Sequence, residues 1–232
     1  MSSIQHSSME IHVDLSAQKT WVQQVYAWMV GGLMLTGLTA WFVSQNEALF
    51  SMVMNAYWLF IIGELGLVFF LSARLHAMSA TTATVSYVAY AFLNGLTLSA
   101  IFWVYSLGSI GMVFFVAAGM YAAAATYGAV TKRDLTSMGS FMVMGLFGII
   151  VTGMINWFVG SPAIDWAISV AGVLVFVGLT AWDMQKIKNG YLIAESGEDV
   201  ARKGAIMGAL ALYLDFINLF LFLLRLLGGR RD

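Results

Sequence analysis

Long apolar runs separated by short polar breaks dominate the chain. Between Lys19 and Glu64 the only charged residue is Glu47, in "SQNEA". That break predicts one span over 24–44 and a second over 56–74. From Leu75 to Thr131 there is no Lys, Arg, Asp or Glu. As a single helix this stretch would be longer than about 80 Å, whereas the hydrocarbon of a bilayer is about 30 Å thick. It must cross twice, and "YSLGSIG" (105–111) is the natural turn, giving spans over 81–104 and 110–130. The charged loop "TKRDLTS" (131–137) precedes a fifth span over 138–159. "GSPAID" (160–165) contains the only proline and leads into a sixth span over 165–184. The polar segment 186–204 then separates it from a seventh span over 205–227.

Composition agrees with this pattern. The chain is 60% hydrophobic and 10% charged, whereas soluble domains carry about a quarter charged residues. Without water in the bilayer core, only helices or closed barrels satisfy the backbone, and continuous rather than alternating apolar runs select helices. The expected class is an all-α integral membrane protein. A polar tail over 1–20 precedes a single seven-helix domain over 21–232, with the lipid bilayer as its first partner. A net charge of −1 gives no footprint for nucleic acid. With no cysteine, disulfides and thiol chemistry are excluded. The absence of an N-x-[ST] sequon fits a bacterial inner membrane. His6 and His12 lie in the tail without further ligands nearby, so they read as solvated residues rather than a metal site. The first apolar run is too long for the core of a cleaved signal peptide. "GLTAW" occurs at 37–41 and 178–182, which in a chain rich in Gly, Leu, Thr and Ala reads as coincidence rather than an inverted repeat. "AAAATYG" (122–128) and Gly145, Gly148 and Gly153 read as sites of close helix approach.

Lys and Arg set the orientation. Lys19, Arg74, Lys132, Arg133, Lys186, Lys188, Arg202 and Lys203 fall on the side of the N-terminus and of the loops after spans two, four and six. The other three loops carry none. The N-terminus is therefore expected in the cytoplasm. Arg225, Arg230 and Arg231 at the far end of span seven go against the rule, because seven full crossings place them outside. A re-entrant last helix is the alternative, and the full crossing is favoured.

Ionisable residues inside the spans are costly, about 2.5–3.5 kcal/mol each on insertion scales, and usually mark a pathway or a switch. Asp215 lies about 15 Å into span seven, and Asp183 lies near the cytoplasmic end of span six. Asp215, Asn218 and Arg225 fall within an arc of about 80° on an otherwise apolar helix, a stripe suited to a water-filled cavity. Glu64 lies about 15 Å deeper than Arg74 on span two. Structural readings accompany each: a hydrogen bond to a neighbouring helix for Asp215, pairing with Lys186 at i+3 for Asp183, a positive-inside anchor for Arg74, a protonated packing residue for Glu64. Asn94 and Asn156 read as interhelical hydrogen-bonders.

"KRDLTSMGSFMVMGLFGII", "VFVGLTAWDMQKIK" and "GALALYLDFINLFLFLLR" resemble the transmembrane BAX inhibitor motif family in its bacterial branch, over the whole chain from about residue 20. The resemblance implies a seven-helix fold with the last helix surrounded by the other six, and a pH-sensitive calcium leak as the activity. It also implies a latch of two aspartates, mapping onto Asp183 in "TAWD" and Asp215 in "YLDF", with Arg74 as the latch partner. Some bacterial relatives are implied to restrain a membrane-bound AAA protease, which supplies a second reading. Independently of the resemblance, two carboxylates within hydrogen-bond reach in low dielectric share one proton, and losing it makes them repel. Calcium, a hard cation with a preference for oxygen, suits such a path as the transported ion. Glu64, Asn218 and Arg225 are the further candidates along it, and no cofactor is expected. Paired aspartates on adjacent spans also suit an intramembrane aspartyl protease, but the chain lacks the G-x-G-D and P-A-L elements of those enzymes. No nucleotide loop, Ser/His pair or metal-spaced His cluster occurs, so an enzyme is not expected.

Overall fold

The computed structural model describes residues 15–74, 77–190 and 197–231, so His6 and His12 lie outside the described residues. Its helices are α1 (Leu15–Ser44), α2 (Glu47–Asn55), α3 (Tyr57–Arg74), α4 (Ala80–Leu98), α5 (Ile101–Val104), α6 (Leu107–Val130), α7 (Thr136–Val159), α8 (Pro162–Asn189) and α9 (Glu198–Leu227). Among the described residues seven stretches are long and apolar enough to cross a membrane: α1, α3, α4 with α5, α6, α7, α8 and α9. Each coincides with one of the spans expected from the charge gaps.

The ends differ in instructive ways. α1 begins at Leu15, so the last residues of the expected tail are helical. The Gln18 amide donates to the Lys188 carbonyl (3.1 Å) and the Trp21 indole to the Ile187 carbonyl (2.8 Å). These bonds tie the start of α1 to the end of α8. α2 was not anticipated: "SQNEA" is not only a turn, because the Asn46 side chain caps a new helix by accepting from Leu49 N at 3.0 Å. The third span breaks between Leu98 and Ile101 and resumes as α5. "GSP" forms a tight reversal. Gly160, at φ +68°, closes α7 in the left-handed conformation, and Pro162 opens α8 where its missing N–H costs nothing.

α9 packs against α1, α4, α6 and α8. It is the most buried of the spans, and Leu212, Tyr213 and Leu219 are wholly enclosed. α8 is the next most buried, and α7 exposes most of its surface. At Gly128 of α6 a Cβ would overlap the Ala181 backbone, so α6 and α8 touch main chain to main chain beside Asp183.

α9 runs unbroken, with no turn at which it could re-enter. Beyond it, Gly229 O accepts from Ser106 N (3.1 Å), Arg231 N donates to Val104 O (3.0 Å) and Gly229 N donates to Ser109 Oγ (3.0 Å). The C-terminal end therefore lies beside the link between the third and fourth spans, at the opposite end of the bundle from the lysine-rich loops.

Candidate functional site

Asp183 sits in the last turns of α8 and Asp215 near the middle of α9. Both are buried, at 8% and 4% exposure. They line one cavity of about 420 Å³ together with Asn218 of α9 and Ser72 of α3. Its remaining walls are apolar, from Leu146 and Ile149 of α7 among others. Both carboxylates face this one cavity, and Lys186 pairs with Asp183.

Their surroundings differ. Asp183 Oδ1 is 2.6 Å from Lys186 Nζ, one helical turn on. The same ammonium stands 3.7 Å over the Trp182 ring, while its side chain remains half exposed. Asp183 is thus tied to a cation that reaches the end of the bundle. Asp215 Oδ2 is buried with no hydrogen-bond partner among the described residues. A carboxylate oxygen without a donor in low dielectric is an expensive arrangement unless a proton or a cation shares its charge. Asn218 spends its amide on its own helix, donating to Leu214 O at 2.8 Å.

The remaining candidates are distributed. Arg74 is exposed at the end of α3, two residues beyond Ser72, and makes no ion pair among the described residues. The cation that the structure places against Asp183 is Lys186. Arg225 leaves the stripe of Asp215 and Asn218, lies over the Phe222 ring at 5.7 Å, and lines a different cavity near the C-terminal end. Glu64 is buried on another side of α9. It accepts from Thr97 Oγ1 (2.7 Å) and Asn94 Nδ2 (3.1 Å). Asn94 Oδ1 in turn accepts from the Tyr213 hydroxyl (2.8 Å), which lies 2.6 Å from Thr36 Oγ1. Thr36 donates onward to the Ala91 carbonyl at 2.8 Å. This network joins α1, α3, α4 and α9. Sequence reasoning identified Asn94 as an interhelical bonder but missed Tyr213, Thr97 and Thr36. The available signal was spacing: Thr97 follows Asn94 by three, and Tyr213 precedes Asp215 by two, which turns it to the opposite face. Asn156 donates to Asp165 Oδ1 (2.7 Å) and to Ser161 O (3.1 Å), joining the end of α7 to the start of α8.

Among the described residues no group of three or more His, Cys, Asp or Glu side chains could hold a metal ion. The arrangement is a two-carboxylate site with one lysine, built between the two most buried helices.

Comparison with known proteins places this geometry in context. A family model described as "Inhibitor of apoptosis-promoting Bax1" matches residues 18–232. The chain is 46% identical over 217 residues to the inner membrane protein YbhL of Escherichia coli (strain K12), covering 92% of this chain and 93% of that protein. It is 41% identical over 232 residues to an uncharacterized protein of Deinococcus radiodurans, over the full length of both. An uncharacterized protein of Borreliella burgdorferi is 36% identical over 95% of this chain and 99% of its own. A match over nearly the whole length, together with seven helices of membrane-spanning length, shows that the chain belongs to the Bax inhibitor family of membrane proteins.

Proposed function

We propose that the protein is a pH-gated calcium leak of a bacterial inner membrane, with Asp183 and Asp215 as its sensor. The observation that carries this reading is that Asp215, whose buried Oδ2 has no hydrogen-bond partner among the described residues, lines one cavity with a second carboxylate. When one proton is shared, α8 and α9 stay in contact. When it is lost, two like charges face each other in low dielectric, and the contact between the helices loosens. The same oxygens, with the Asn218 amide oxygen, then offer a divalent cation hard ligands. Lys186, 2.6 Å from Asp183, biases the balance by stabilising the charged form of that carboxyl. The name of the Escherichia coli relative supports the choice of membrane, and the eight basic residues at the lysine-rich end support a cytoplasmic N-terminus.

Calcium entry into liposomes holding the purified protein, followed with a trapped dye across a pH series, tests this. Flux should rise with pH on the Asp183 side. Asp183→Asn and Asp215→Asn should each flatten the response, and the double variant should do no more than either alone, because the pair acts as one unit. Lys186→Gln should move the midpoint more than Arg74→Ala does. Flux that ignores pH in the unmodified protein, or independent and additive effects of the two Asn variants, would overturn the reading.

A further inference from the structure

The three arginines at the end of α9 run against the charge pattern of the rest of the chain, and the structure shows where two of them go. The backbone bonds that tie Gly229 and Arg231 to the 104–109 segment hold Arg230 opposite Tyr105 in an antiparallel bridge. Arg230 and Arg225 then line one cavity of about 520 Å³ with Asp165, Trp166, Ser169 and Tyr105. A volume of this size holds a small organic group. It lies where α8 begins and α9 ends, the level at which helices leave the hydrocarbon, and Trp166, largely exposed, is an aromatic residue of the kind that sits among headgroups.

The charges in this cavity are not paired with one another. Among the described residues neither Arg225 nor Arg230 has a carboxylate within ion-pair distance. Asp165 faces the same space and is oriented from behind by Asn156. Two guanidiniums and one carboxylate leave a net charge of +1. A bare anion would suit the arginines and meet Asp165 as a like charge. A group carrying a phosphate and an ammonium a few bonds apart would satisfy all three, with the forked guanidinium donors on the phosphate oxygens.

We propose that this cavity binds the headgroup of a phosphatidylethanolamine-type lipid, its phosphate on Arg225 and Arg230 and its ammonium toward Asp165. Such a lipid anchors the C-terminal end of α9 to the leaflet it faces, and gives the arginines on that side a local counter-charge.

Thermal unfolding of the full-length protein, delipidated in dodecyl maltoside, tests the assignment with three probes: phosphatidylethanolamine, phosphatidylglycerol and inorganic phosphate. Phosphatidylethanolamine at saturation should raise Tm by about 5 °C, phosphatidylglycerol should raise it less, and inorganic phosphate should leave it unchanged. Arg230→Gln, at an exposed position, should keep the lipid-free Tm and lose most of the gain. Asp165→Asn keeps an acceptor for Asn156 and should erase the preference for the amine-bearing lipid while retaining the response to phosphatidylglycerol. Three results would overturn the proposal: a gain from phosphatidylglycerol equal to or above that from phosphatidylethanolamine, the same gain from inorganic phosphate, or a full gain in Arg230→Gln.

Discussion

Two faces of α9 carry polar groups at nearly the same depth, and they are built on opposite terms. Tyr213 looks toward α1, α3 and α4, into a chain in which Thr36, Asn94, Thr97 and Glu64 each hold a neighbour by hydrogen bonds of 2.6–3.1 Å. Asp215, two residues on, lines the cavity beside α8, with one oxygen unpartnered among the described residues. Both faces bury a carboxyl group, Glu64 on one and Asp215 on the other, so burial alone does not distinguish them. Partner supply does. A fully connected polar network stabilises one packing and resists change. A carboxyl with too few donors is stable only with help from a proton or cation, so its surroundings respond when that help is withdrawn.

The sharpest test of this contrast is a pair of substitutions. Glu64→Ala strips Asn94 and Thr97 of their acceptor and opens a void. It should lower stability by about 2 kcal/mol, seen as a Tm about 5 °C lower. Asp215→Asn should leave Tm within about 1 °C of the unmodified protein, because a near-isosteric amide loses no hydrogen bond there. If Asp215→Asn destabilises as much as Glu64→Ala, the two faces do not differ. A smaller effect is expected from Tyr213→Phe, which leaves Asn94 Oδ1 without its donor. A loss of about 1 kcal/mol in Tm measurements, with the pH response of calcium flux intact, would keep the network on the structural side.

The smallest effect falls outside both faces, at the loop before α7. Hydrogen bonding from the Thr136 hydroxyl and then from its backbone amide, 2.9 Å from Asp134 Oδ1, holds the Asp134 carboxyl below its usual range. A depressed folded value means the contribution is present above the unfolded pKa of about 3.9 and is lost as pH falls through the folded one. Asp134→Ala should therefore lower Tm by only about 1 °C at neutral pH, and the difference should vanish in acid below that range.

The gaps between charges were enough to place seven spans, because hydrocarbon thickness and helix rise leave little choice of length. The aspartates were legible for a related reason: an ionised group among apolar residues stands out whatever its neighbours. What hydropathy does not encode is how each helix is turned about its axis. That rotation decides that Tyr213 meets Asn94 and that Arg225 parts from Asn218, whereas the pairing of Asp183 with Lys186 at i+3 was legible in the sequence. α2 was missed for a different reason. A nine-residue helix is too short to register as a span, and its existence depends on the local cap from Asn46.

The backbone bonds at Gly229 and Arg231 make α9 a lever with its fulcrum at one end. Any tilt that preserves them produces almost no travel at the fulcrum and increasing travel away from it. Asp215 lies about 20 Å along the arm, at 1.5 Å per residue, so a tilt of about 10° would carry it roughly 3–4 Å. That is comparable to the reach of an ion pair, so a modest swing is enough to make or break contact with α8, while Arg230 and Arg231 at the fulcrum stay in place.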